Sequence, residues 1–211
     1  MKLLQRSMIL LAVIVVLASC SSTDVKNKTE VLDHKGASFG INEPAWLTAY
    51  IQGSNQSVEA LPEYKNQTCF VVSFIDADRD FAIGMAESAS GSSLIAQMIA
   101  ETVSADAERR RAGVQGEGTS AAWTQASESM SNASYTGFRK SADWWRITRN
   151  KSTKVQEAHA FVLYTIESRI LSDQIARNLT NIMENNKALS AAEREIYRDL
   201  IAHIRSGGFK H

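Results

Sequence analysis

Acidic residues supply the first spacing in this sequence that could do chemistry. Asp76, Asp78 and Asp80 alternate, and Glu87 stands at the twelfth place counted from Asp76. Alternate carboxylates closed by a glutamate at that place describe a calcium loop. Its sixth place needs a glycine for a sharp turn, and here it is Phe81. The carboxylates therefore read as a loop and helix start, where negative charge suits the positive end of the helix dipole. Histidine occurs four times, as His34, His159, His203 and His211. Glu157 and His159 share one face of a strand and could pair, but no nucleophile stands beside them. HExxH, paired CxxC and the phosphate loop are absent. Asp76, Asp78, Glu157 and His159 are the residues around which a polar pocket could form. No catalytic residue, cofactor or metal site is assigned.

The two cysteines differ in setting. Cys69 lies in Cys69-Phe70-Val71-Val72 with no histidine near it in sequence, and reads as a small buried hydrophobe. Cys20 ends another kind of pattern. Lys2 and Arg6 give a positive start, Met8 to Leu17 is almost wholly apolar, and Ala18-Ser19 leads to the thiol. A charged start, an apolar middle of about ten residues and a small-residue exit describe a signal peptide over residues 1–19. The run is shorter than the roughly 20 residues of a spanning helix. Leu17-Ala18-Ser19-Cys20 is similar to the bacterial lipobox, whose thiol takes a diacylglycerol and becomes the first residue of the mature chain. Lipidation is expected at Cys20, with palmitate-type chains worth about 0.8 kcal/mol per buried methylene. Ser21 stands where an aspartate would, in many Gram-negative bacteria, hold a lipoprotein at the inner membrane. The expected address is therefore the bacterial cell envelope, outside the cytoplasm, with the outer membrane favoured over the inner.

Composition narrows the partners. The 211 residues carry 23 basic and 23 acidic side chains, and losing Lys2 and Arg6 leaves 21 against 23, near −2. No basic excess points to nucleic acid. Arg109-Arg110-Arg111 sits where a helix should end, and cations suit that end. About 190 mature residues are enough for one adequate core without disulfides.

Residues 20–42 are polar and without apolar periodicity, so they read as a flexible tether; residues 43–211 read as a single domain. Order is expected to begin near Pro44-Ala45-Trp46. Thr68 to Ile75 reads as a strand apolar on both faces. Arg79 to Arg110 reads as a helical stretch with a weak point at Ser90-Gly91-Ser92-Ser93. Gly113 to Gly118 reads as a loop, and Thr119 to about Tyr135 as a second helix. Ser141 to Thr148 and Val155 to Ile166 form a hairpin through Arg149-Asn150-Lys151-Ser152. In the second of these strands both faces are apolar, which predicts a central position. Trp144 and Trp145 point to opposite faces, one for the core and one as a surface anchor. Leu171, Ile175, Leu179 and Ile182 predict a helix from Ser168 to about Asn185. Ser190-Ala191-Ala192-Glu193 is a capping box that opens a last helix. The sum is an α+β fold with a small antiparallel sheet of about three strands, in the order strand-helix-helix-strand-strand-helix-helix.

Several of these features, taken in order, resemble a known family. They are Pro44-Ala45-Trp46 after a lipobox tether, the strand Cys69 to Ile75, the Ala-rich helix from Phe81, the Trp144-Trp145 strand, and Ala160-Phe161-Val162-Leu163-Tyr164 before Ile175. The family is the small bacterial membrane-associated lipoproteins that include the flagellar outer-membrane lipoprotein FlgP. The resemblance covers residues 44–182; this chain adds the helix at Ser190 to Ser206 and lacks a glycine-rich opening after its first strand. It implies a non-enzymatic envelope protein, in some members tied to motility. The expected function is thus a membrane-anchored, non-enzymatic cell-envelope lipoprotein acting in protein interaction or assembly. It would be held to the membrane through lipid on Cys20, with a protein partner or self-association and no nucleic acid. The alternative is a periplasmic small-ligand binder or an enzyme of unknown reaction.

Overall fold

The computed structural model describes residues 28–88, 93–111 and 120–208. Cys20, the signal residues, Ser90 to Ser92 and the Gly113 to Gly118 loop lie outside them. Strand β1 (Thr29–His34) comes first, followed by helices α1 (Ala45–Gln52) and α2 (Asn55–Glu59) and strand β2 (Gln67–Asp76). Helices α3 (Arg79–Ser88), α4 (Ser93–Arg111) and α5 (Ser120–Ser131) precede the hairpin of β3 (Arg139–Asn150) and β4 (Gln156–Glu167). Helices α6 (Ser168–Asn185) and α7 (Ala191–His203) follow, and a π-helical turn at Ile204–Gly208 continues α7. All four strands form one antiparallel sheet in the order β1-β3-β4-β2, so the fold is α+β.

Strand β4 explains the layering. Ala158, Ala160, Val162, Tyr164 and Ile166 face one way, into a core shared with α3 to α7. Phe161 and Leu163 face the other way, against Trp46, Leu47 and Val58 of α1 and α2. A strand apolar on both faces has to be covered on both, and it lies centrally as its sequence predicts. Tyr164 also donates its hydroxyl to the carbonyls of Ala86 (3.2 Å) and Glu87 (2.6 Å), tying the end of α3 to the sheet.

Several ends are closed by side chains. Ser190 Oγ accepts from the Glu193 amide and Glu193 Oε2 from the Ser190 amide, the reciprocal cap the sequence predicts. Arg194 of α7 donates to the carbonyls of Met183 and Asn186, where α6 ends. Gln174 both donates to the carbonyl of Thr136 and accepts from its amide, each at 2.8 Å, which holds the approach to β3.

The sheet has four strands where about three are expected. The fourth is β1, which arises inside the stretch read as tether and pairs with β3, Val31 opposite Thr148 and His34 opposite Arg146. Five of its six residues are exposed, so backbone pairing rather than side-chain burial holds it, and no apolar period marks it in sequence.

The outer edge of β2 is partly blocked. Its Cys69 amide donates to Glu59 Oε1 (2.9 Å) and its Val71 amide to Asn55 Oδ1 (3.0 Å), both on α2. Side-chain acceptors on an edge strand satisfy backbone donors that would otherwise invite another chain. Asn55→Ala leaves the buried Val71 amide without an acceptor, and a loss of about 1–3 kcal/mol is expected in urea unfolding. An unchanged midpoint would contradict this role for Asn55.

Candidate functional site

The four polar candidates divide between the two faces of the sheet. Asp76 lies opposite Ala158, on the face of the large helical layer, whereas His159 lies opposite Ile75 on the other face, where Glu157 joins it. Asp76 and Asp78 serve the start of α3. Asp76 Oδ1 accepts from the Asp78 amide (2.9 Å), and Asp78 Oδ1 accepts from the amides of Asp80 (2.8 Å) and Phe81 (3.0 Å). These are the free donors of a helix N-terminus, met by an aspartate cap. Glu87, the twelfth residue of the apparent calcium loop, pairs instead with Lys140 Nζ at 2.5 Å. Among the described residues, no group of three or more His, Cys, Asp or Glu side chains comes together as a metal site.

Glu157 and His159 do approach each other, with Oε2 and Nε2 3.8 Å apart. His159 Nε2 lies closer to the Thr148 hydroxyl, at 3.1 Å. Sheet register places His34, Arg146, His159 and Ile75 in one row across all four strands. The His34 ring stacks on Trp144 with centroids 5.6 Å apart, while the Arg146 guanidinium lies over Phe161 and reaches Glu43 Oε2 at 3.4 Å. Helices α1 and α2 cover the Trp144 and Phe161 side of this row. Ile75, the β2 end of this row, and Val31 are each 53% exposed. Burial, and next the Arg146 charge, push the His159 imidazole below its ordinary range, with Glu157 opposing them.

On the opposite face, Trp145 lies under the Arg79 guanidinium, 4.9 Å from its ring centre. Lys140 bridges Glu87 and Asp143 Oδ2 (2.9 Å), and Lys35 also contacts Asp143. Burial works against ionisation of Asp143, but hydrogen bonds from Lys35 and Lys140 hold its carboxyl below the usual range. This network joins the end of β1, β3 and α3. Trp144 is buried in the core, as expected of one of the pair, while Trp145 on the opposite face is half-buried.

Cys69 is fully buried and its thiol is pushed up to about 12, first by burial and then by Glu59. It stays protonated at neutral pH, which removes it as a nucleophile. Away from the sheet, a cleft of about 650 Å³ opens between α4 and α7, lined by Val103, Asp106, Arg109, Leu200 and His203. Asp106 already pairs there with Arg109 (3.4 Å) and His203 (3.8 Å). Glu157, His159, Trp144 and Trp145 stand out in the sequence, whereas Arg146, Lys35 and Glu43 do not. Their partners become visible only once β1 and the segment before α1 are placed. The alternation of Trp144, Arg146 and Thr148 is the signal the sequence holds for Arg146.

Compared with protein-family models, curated proteins and solved structures, the chain has no significant match in any of the three.

The lowered His159 pKa has a consequence for stability. Between the folded value and the ordinary 6.5, the unfolded chain binds more protons than the folded one, so this group makes stability rise with pH. The unfolding midpoint is expected to fall as the pH drops through 6.5, and His159→Gln to flatten that part of the slope. Denaturation curves across this window check it; identical slopes in the two proteins would contradict it.

Proposed function

We propose that this chain is a membrane-anchored, non-enzymatic cell-envelope lipoprotein that acts in protein interaction or assembly, anchored through acyl chains on Cys20. The observation that carries the reading is the fate of the polar candidates. Asp76 and Asp78 cap α3, Glu87 pairs with Lys140, and Glu157 and His159 lie on the other face of the sheet. Side chains spent on fold closure are not poised for general acid–base work, which needs convergent groups within reach of a substrate. What stays accessible is surface: the open part of the sheet face around Ile75 and Val31. Exposed apolar groups beside half-buried polar ones suit recognition of another chain.

Anchorage rests on the leader and lipobox of the sequence. No helix among the described residues is long and apolar enough to cross a membrane. A lipidated cysteine needs none, because two or more acyl chains give a lasting hold. Ser21 after Cys20 favours the outer membrane over the inner. A role in motility is supported only by the resemblance of residues 44–182 to the lipoprotein family.

Intact-mass spectrometry of the protein extracted from its host is expected to find a chain beginning at Cys20 with its sulfur diacylated. Cys20→Ser is expected to release the protein from the membrane fraction. A free thiol at Cys20, or an uncleaved leader, would overturn the anchor. A photo-crosslinker at Ile75 is expected to capture protein, or a second copy, more strongly than one at the exposed Ile170 of α6. Equal capture at both positions would remove the assigned surface.

A further inference from the structure

We propose that the β3–β4 hairpin tip, with Lys28 beside it, docks on the anionic phospholipid headgroups of the bilayer that holds the Cys20 anchor. The proposal rests on the lipoprotein reading above and adds an orientation to it.

Two independent observations meet at this tip. The first is charge. Arg149, Lys151 and Lys154 stand at the turn between β3 and β4, and the Lys151 amide donates to the carbonyl of Lys28 at 2.8 Å. Four cations thus share one end of the sheet, where the carboxylates of the adjoining positions are Glu30, opposite Arg149, and Glu157, opposite Thr148. The chain as a whole has no such excess, with 23 basic and 23 acidic residues. Among the described residues Arg149, Lys151 and Lys154 form no ion pair. Lys151, Lys154 and the neighbouring Val155 are exposed, Val155 at 52%. The turn that presents them is closed by Asn150, whose Oδ1 accepts from the amides of Ser152 (2.9 Å) and Thr153 (3.1 Å).

The second observation is where the chain arrives. Thr29 pairs with Asn150, so the polypeptide joins the sheet at the basic tip and not at its far end. Only residues 21–27 separate Lys28 from Cys20. Even fully extended, that span covers no more than about 30 Å at roughly 3.5 Å per residue. The anchor therefore keeps this end of the domain within about 30 Å of the headgroups, so the tip can reach them before the far end does. At short range, clustered lysine and arginine are attracted by anionic lipid, an effect that fades beyond about a Debye length of 10 Å at moderate salt. The far end of β4, at Glu167, lies about 36 Å away along a twelve-residue strand. Val155 gives the tip an apolar group to place at the interface.

The test uses the mature acylated protein purified from host membranes and returned to vesicles. Ser152→Cys provides a labelling site at the tip, and Glu63→Cys one at the far end, ahead of the start of β2. Cys69 is buried and does not compete for the label. Vesicles are made of phosphatidylcholine alone or mixed with phosphatidylglycerol, each with a headgroup-attached quencher. In the mixed vesicles, quenching at position 152 is expected to exceed that at 63 by about threefold. The difference should vanish in about 1 M salt, where screening is nearly complete. It should also vanish when Lys28, Arg149, Lys151 and Lys154 are all replaced by Gln. Vesicles that float with the protein but quench both labels equally, or quench position 152 regardless of lipid charge and salt, overturn the docking alone. That includes the case of an acidic protein as the true occupant of the tip, since none is present. Failure to float in any lipid overturns the anchor and the proposal with it.

Discussion

Burial of β4 on both faces is the constraint from which the rest of this structure follows. Leu163 and Phe161 on one side, and Ala160, Val162 and Tyr164 on the other, are all nearly inaccessible to water. Full burial of each large apolar side chain is worth about 1.5–3 kcal/mol. Neither helical layer alone could provide that. The sheet must therefore carry helices on both faces, with β4 inside it between β3 and β2. The two layers are unequal: α3 to α7 form a broad core on one face, while α1 and α2 cover only part of the other.

That inequality shapes what the surface can do. On the face of α1 and α2, the row of His34, Arg146 and His159 marks the margin between covered and open sheet. Each member is tied to a neighbour, His34 to Trp144, Arg146 to Glu43, and His159 to Thr148. On the face of the large layer, Lys35, Lys140, Asp143 and Glu87 join β1 and β3 to α3. These charged groups are occupied in joining elements. Strongly basic character is left to the hairpin tip, which lies beside the point where the chain joins the sheet.

The sequence made some of this legible and hid the rest for physical reasons. Alternation along Ala160 to Ile166 places β4 in the centre because both of its faces are apolar. The reciprocal cap of Ser190 and Glu193 is visible because both partners lie within one turn. The cap at Asp78 is visible for the same reason. Strand β1 is hidden, because Thr29 to His34 expose nearly all their side chains and are recruited through backbone pairing. Helices α1 and α2 are too short to show a period, and only Trp46 announces them. Residues joined across more than a hundred positions, such as Lys35 and Asp143, cannot be matched before the sheet order is known. The proximity of Glu157 and His159 is legible from their alternation on one strand, but their separation from Asp76 and Asp78 by the thickness of the sheet needs the register of β2.

Native-state hydrogen exchange resolved by residue tests the two-sided burial of β4 most directly. The amides of Phe161 to Ile166 are predicted to exchange only through global unfolding, whereas those of Thr29 to His34 open locally at lower free energy. Exchange from β4 as fast as that from β1 would contradict a sheet organised around a strand enclosed on both faces.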